Sequence, residues 1–239
     1  MEYFVHDTID STNDEALRVL QKAGHPQSFV VAAKYQSNGH GKNGRTFYSP
    51  SNTGMYFSVV KRADQIKQYL GLLTLVVGVS VIRGFEKFGI NDLKLKWVND
   101  IVNPFGKVGG ILVLQTYDVH YESYVIIGVG INIVMPNKLP SHLEGVFSPV
   151  WESVVPFDNA RIQSILVSNI VSMIEDYDLS FISTYTRYSS LIDKNISLQL
   201  KPDNQISGKV SGFSEKGGIL ITNNGKTTEY QIGEIISVN

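Results

Sequence analysis

Cysteine is absent from the 239 residues, which excludes disulfides, thiolate metal centres and a thiol nucleophile. Net charge is nearly absent too, since 21 Lys and Arg face 22 Asp and Glu and leave a formal charge of −1. No bulk pull toward nucleic acid or an anionic membrane follows, so any affinity for phosphate has to be local. Long hydrophobic runs are missing. The most apolar stretch, Leu70 to Ile82, is too short to span a bilayer and reads as a buried helix. Met1-Glu2-Tyr3-Phe4 lacks the basic start and apolar core of a signal peptide, so a cytoplasmic protein is expected. The length allows one sizeable core with a small second domain.

Apolar spacing divides what is present. Residues 3–6, Phe29 to Lys34 and Met55 to Val60 read as strands. A helix is expected from Thr12, with Thr12 and Glu15 at capping-box spacing and Gly24 as the stop. Asp64 to Phe88 reads as one long helix, and Asp92 to Val98 as a strand with Leu93, Leu95 and Trp97 on one side. Val108 to Thr116 and Tyr121 to Val134 read as an antiparallel core pair, followed by an irregular connection from Pro136 to Pro156. Helices are expected over Asn159 to Tyr177, capped by Asp158, and over Phe181 to Leu191. Beyond Asp193 the texture changes to short β-like runs, Ile196 to Leu200, Ile206 to Phe213, Gly218 to Thr222 and Thr227 to Ile232. Asn224-Gly225 marks a hairpin between the last two. Tight turns and short strands in so few residues suggest a small barrel.

The stretch from Lys34 to Val60 carries the densest chemistry. Gly39-His40-Gly41-Lys42-Asn43-Gly44-Arg45 alternates glycine with basic or amide side chains. Glycines let the backbone approach a ligand, and the cations can surround a carboxylate or phosphate. A mobile surface loop would have the same composition. On its residues alone Ser11-Thr12-Asn13 reads as a plain N-cap, although the uncapped amides of a helix start remain available donors. Lys96 reads as a solvated strand lysine unless the amide and carboxylate of Trp97-Val98-Asn99-Asp100 converge with it. Gly109-Gly110 and Gly128-Val129-Gly130 leave strands bare where a ligand or another backbone could press close. Gly128-Val129-Gly130 is no dinucleotide fingerprint, lacking the third glycine and the following helix.

In combination these blocks resemble the biotin protein ligase family. The segment Gly39-His40-Gly41-Lys42-Asn43-Gly44-Arg45-Thr46-Phe47-Tyr48-Ser49-Pro50, then Gly54-Met55-Tyr56-Phe57-Ser58, follows the family's ligand-binding loop. Ser11-Thr12-Asn13, Lys96-Trp97-Val98-Asn99-Asp100 and Gly128-Val129-Gly130-Ile131-Asn132 stand in the family's order and cover nearly the whole chain. The resemblance implies an α+β catalytic core over residues 1–190, a mixed sheet packed with helices, and an SH3-like barrel over 191–239 closed by Gly233-Glu234-Ile235. It also implies ATP-dependent activation of biotin as biotinyl-5′-AMP, then transfer to a lysine of a biotin carboxyl carrier domain.

The residue roles implied are these. Biotin would be held by Ser11, Thr12, Asn13, Gln36, Gly39, His40, Gly41, Lys42, Lys96, Gly109 and Gly110. ATP or the adenylate would be held by Arg45, Phe47, Trp97, Asn99, Asp100 and Asn132. Lys96, Lys42 and Arg45 would serve catalysis, with Lys107 a further available cation. Magnesium is expected on the phosphates with few protein ligands, so no metal-binding residues are assigned. All four blocks precede Val134, so the tail is expected to assist without supplying the biotin pocket.

Two positions depart from the family pattern, His40 and Lys42, where the family prefers arginine. A forked guanidinium is replaced by a switchable imidazole and a point charge. That leaves a non-catalytic biotin or adenylate sensor as one alternative, and a lipoate ligase or octanoyl transferase on the same core as another. The resemblance starts almost at Met1, so no preceding helix-turn-helix and no DNA partner are expected. No membrane partner is expected, and a homodimer is left open.

Overall fold

Alternating apolar side chains dominate the middle of the chain, and there the main sheet forms. The computed structural model describes residues 1–22, 28–151, 158–176 and 180–238, the side chains of 67–69 excepted. Strands β1 (Glu2–Ile9), β2 (Phe29–Gln36), β3 (Gly54–Arg62), β4 (Lys94–Lys96), β5 (Asp100–Asn103), β6 (Gly106–Tyr117) and β7 (Ser123–Asn132) form one sheet. Its order is β1-β2-β3-β7-β6-β5-β4. β1 and β2 run parallel, joined through helix α1 (Thr12–Gln21), and the remaining pairs are antiparallel.

The period-two pattern sorts side chains into two cores. Val30, Ala32, Met55, Phe57 and Val59 join the core built with helices α2 (Leu73–Glu86), α3 (Asn159–Glu175) and α4 (Phe181–Tyr188). Phe29, Val31 and Val60 turn the other way and pack with Ala16, Val19 and Leu20 of α1. Helix α1 packs chiefly on β2, β3 and β7, and the cavity opens on the same face beside it.

The last strands, β8 (Asn195–Lys201), β9 (Asn204–Phe213), β10 (Ile219–Asn223), β11 (Lys226–Tyr230) and β12 (Glu234–Val238), form an antiparallel sheet in the order β11-β10-β9-β8-β12. This is consistent with the expected SH3-like barrel. Asn224 (φ 49°) and Gly225 (φ 76°) both take positive φ, as the Asn-Gly hairpin requires.

Several boundaries differ from the sequence expectation. The helix expected over 64–88 is an α-helix only from Leu73, after 3-10 turns at Ala63–Gln65 and Lys67–Leu72. Ile66, fully buried, leaves helical geometry (φ −134°, ψ 11°) between them. The expected strand 92–98 shrinks to β4, because the chain turns at Trp97 to pair β4 with β5. Helix α4 stops at Tyr188, as Ser189 turns extended beside Leu95. The expected run Thr227 to Ile232 is β11, which ends at Tyr230, and beyond Gly233 (φ 148°) the chain forms a further strand, β12. Helix α1 is capped by Ser11, not Thr12, and Glu15 pairs with Arg18 instead of closing a capping box. Gly24 and Tyr177, the expected ends of α1 and α3, lie outside the described residues. Asp158 caps α3 as expected, accepting from Arg161 N at 3.0 Å.

Arg18 also grips Asp10, the residue before the cap, through two bonds of 2.7 and 2.9 Å. That hydrogen bonding holds the Asp10 carboxyl at about 2, below its ordinary 3.8. A carboxyl lowered in the folded state adds stability above its unfolded value, and loses it as pH falls through about 4 toward 2. Both side chains are 43% exposed, so screening limits the contribution to about 0.5 kcal/mol. Asp10→Asn is therefore expected to melt about 1 °C below the parent at pH 7, with the gap closing by pH 2. A gap of equal size at both pH values would refute the assignment.

Candidate active site

The sheet register builds the floor of a cavity of about 210 Å³. Gly110 on β6 lies opposite Gly130 on β7, and Gly128 lies between Ser58 and Leu112. These glycines make room for the protein's own side chains. A Cβ on Gly130 would come within 2.5 Å of the Phe47 ring, and one on Gly128 within 2.4 Å of the Asn13 amide. Gly109 differs: its neighbours are the Gly130 carbonyl at 2.6 Å and the Ile131 side chain at 2.7 Å, away from the cavity. Gly109→Ala is thus expected to lower the unfolding midpoint by several degrees, an overpacking cost of about 1–3 kcal/mol. Gly110→Ala meets only contacts of 3.6 Å or more and should melt like the parent. Thermal denaturation of the two variants compares them, and equal midpoints would refute the distinction.

One end of the cavity is polar and deeply buried. Ser11, Thr12 and Asn13 are 2, 4 and 5% exposed, and all three line the cavity. Ser11 caps α1, accepting from Asp14 N at 3.5 Å, and the triplet lines the cavity as well. Thr12 N donates to Gln36 Oε1 at 2.8 Å, Gln36 Nε2 donates to Ser49 Oγ at 2.9 Å, and Ser49 Oγ donates to the Phe47 carbonyl at 2.9 Å. Gly39 permits this chain, because a Cβ there would fall 2.7 Å from Ser49 Oγ and 2.8 Å from Gln36 Nε2.

The glycine loop forms the rim. Gly41 N donates to the Arg45 carbonyl at 2.7 Å, closing a short turn around Lys42–Gly44 in which Asn43 (φ 60°) and Gly44 (φ 70°) are left-handed. His40, Gly41, Lys42 and Arg45 all line the cavity. His40 Nε2 stands 3.7 Å from the Asp14 carboxylate. Arg45 reaches across the molecule to Glu234 on β12 at 2.6 Å. Phe47 lies over the glycine floor, edge-on to Tyr56 at 6.4 Å.

The opposite wall is the β4–β5 turn. Lys96 is half-buried at the end of β4 in register with Asp100, and Trp97, Val98 and Asn99 line the cavity between them. Asp100 is ion-paired with Lys107 at 2.7 Å. Lys96 makes no ion pair among the described residues. The Trp97 indole N–H donates to the Gly217 carbonyl at 3.0 Å, joining this turn to the C-terminal sheet. Asn99 accepts at its carbonyl from Ile111 N at 2.9 Å.

Of the residues singled out from sequence, Gly39, Gly109 and Asn132 do not line the cavity; the rest do. Asn132 is buried and donates its amide to the Lys107 and Ser148 carbonyls at 3.1 and 3.3 Å. It splices β7 to the connection that follows. Sequence reading missed the wall contributed by Gly233, Glu234 and Ile235, so the tail does help to enclose the cavity. It also gave no role to Ser58, although that serine closes the quoted loop motif. Glu234 offered no local signal, standing 189 positions from Arg45.

A mixed sheet with a polar, cation-rimmed cavity on one face defines an α+β protein whose cavity offers charge complementary to an anion. The family model described as biotin/lipoate A/B protein ligase matches residues 5–132, and the chain belongs to that family. It is similar to the bifunctional ligase/repressor BirA of Escherichia coli K12, 27% identical over 95% of this chain and 71% of that protein. It is also similar to the biotin–[acetyl-CoA-carboxylase] ligase of Mycobacterium tuberculosis, 23% identical over 95% of this chain and 85% of the relative. Among solved structures, biotin protein ligase from Aquifex aeolicus in complex with biotin and ATP superposes with a TM-score of 0.82 at 25% identity. The match covers 100% of this chain and 98% of that one.

Proposed function

We propose that this chain is an ATP-dependent biotin protein ligase that biotinylates a carrier domain of a biotin-dependent carboxylase in the cytoplasm. The carrying observation is convergence: blocks separated in sequence, Ser11–Asn13, the His40–Phe47 loop, Lys96–Asp100 and Gly128–Gly130, line one cavity. The names of the relatives point to the same activity, and give no support to a lipoate ligase or a non-catalytic sensor.

In the first step a biotin carboxylate oxygen bonds to the α-phosphorus of ATP as the bond to the bridging oxygen breaks and pyrophosphate leaves. In the second an acceptor lysine amine bonds to the acyl carbon, the acyl–oxygen bond breaks, AMP leaves and the amine proton passes to solvent. Neither step needs an enzyme nucleophile. The chain has to bring two anions together, and Lys96, which lines the cavity, would bridge them. Lys42 and Arg45 supply charge from the rim, and ordering of that loop would keep water from the reactive anhydride.

Magnesium fits this site only as a passenger on the phosphates. Among the described residues no group of three or more His, Asp or Glu side chains could hold a metal ion. Asp100 is the carboxylate beside Lys96, and it is neutralised by Lys107. When bound, the ion would offset phosphate charge. Mass spectrometry of a carrier domain incubated with the protein, biotin and ATP tests the proposal. One added biotinyl group, dependent on both substrates, is expected; an unmodified carrier that a known ligase does label would refute it.

A further inference from the structure

Ser58, in the middle of β3, is fully buried, yet its hydroxyl meets two side chains of the polar end. Its Oγ donates to Asn13 Oδ1 at 2.6 Å and lies 2.8 Å from Thr12 Oγ1. A separation of 2.6 Å belongs to an O–H···O bond and is short for an amide N–H donor, so the Asn13 oxygen is the atom turned toward Ser58. Ser58 Oγ is the donor in both contacts, and its one hydroxyl proton serves the shorter, to Asn13. The consequence is a fixed polarity for the amide. With its oxygen engaged, Asn13 is left its N–H groups for the cavity it lines, beside a Thr12 hydroxyl oxygen able to accept. Gln36 is fixed in the matching sense, since its Oε1 accepts from Thr12 N while Ser49 holds its Nε2.

Donors from one amide beside acceptor oxygens on two neighbours complement a head group with one carbonyl flanked by two N–H groups. We infer, resting on the biotin reading of the cavity, that Ser58 is a positioning residue that selects a cyclic urea by dictating the orientation of Asn13. Ser58 touches no substrate in this arrangement. It acts by denying Asn13 the flipped state, in which the cavity would present an acceptor where the ligand carries one too.

The discriminating probe is 2-iminobiotin, in which a protonated imine, a donor, replaces the carbonyl acceptor. Calorimetric titration of biotin and 2-iminobiotin into the parent, Ser58→Ala and Ser58→Cys reads the preference as a ratio of dissociation constants. The parent is expected to favour biotin by about a hundredfold or more, and Ser58→Ala to lose at least about tenfold of that ratio as Asn13 becomes free to turn. Ser58→Cys, nearly isosteric with a weak S–H donor, is expected to fall between them, and it carries the test if the alanine variant does not fold. ATP affinity should be unchanged in both variants, a separation that general loosening of the site would not give. A parent that binds biotin, with a ratio unchanged in either folded variant, overturns the role of Ser58 alone. A parent that binds neither head group overturns the biotin reading and this role with it.

Discussion

Lys96→Ala is expected to slow formation of biotinyl-AMP by about 10²- to 10³-fold while leaving the fold intact. The two reactants are a carboxylate and a triphosphate, so the barrier is dominated by bringing like charges together. Four cations border the cavity, but two are engaged: Arg45 with Glu234 and Lys107 with Asp100. Lys42 is exposed on the rim, whereas Lys96 is half-buried at the end of β4 and lines the cavity. Removing a preorganised charge from such a position typically costs about 3–4 kcal/mol of transition-state stabilisation. The same side chain contributes little to stability, because without an ion pair it loses only partial solvation on folding, and a change within about 0.5 kcal/mol is expected. Pyrophosphate release with biotin and ATP, beside a thermal melt, separates the two effects. Release at close to the parental rate would remove Lys96 from the chemistry.

What could be read from the residues, and what could not, divides along sequence separation. Ser11-Thr12-Asn13, the glycine loop and Lys96 to Asp100 are local blocks that, taken singly, also fit a helix cap, a surface loop and a solvated lysine. Their convergence on one cavity depends on strand order and register, and here the family resemblance served where local patterning could not. Four glycines, Gly109, Gly110, Gly128 and Gly130, were legible as bare points, but what fills the space over them was not. Asn13 fills the space over Gly128 and Phe47 that over Gly130, both long-range contacts set by register. Asn132 was assigned to the adenylate by the family resemblance alone; the connection after β7 uses its amide to satisfy two backbone carbonyls. Ser58 was hidden by its type, since a lone serine in an apolar strand signals nothing until the residue opposite is known.

The second large effect expected is on stability. Deleting the chain after Leu191 should abolish cooperative folding, although a change of texture at Asp193 suggests a detachable tail. The apolar core does not divide there. Ile196, Leu198, Val210, Phe213, Ile219 and Ile221 belong to the same buried cluster as Leu75, Leu95, Trp97, Tyr185 and Leu191. Phe213 packs edge-on against Tyr185 with ring centres 4.8 Å apart, and Gly217, bonded to the Trp97 indole, lies so close to Leu72 that a Cβ would fall 2.7 Å from it. Each large side chain uncovered by the deletion forfeits about 1.5–3 kcal/mol of burial. For Leu72, Leu75, Trp97, Tyr185 and Leu191 together that is on the order of 10 kcal/mol, as much as the whole stability of an ordinary domain. The truncated chain is accordingly expected to lose its sharp thermal transition, bind a hydrophobic dye and bind biotin poorly. Far-ultraviolet circular dichroism melts with dye fluorescence check this. A truncated protein that melts as sharply as the parent and still titrates with biotin would show that the sheet of β8–β12 is an accessory, and that Trp97 needs no partner to hold the turn beside Lys96.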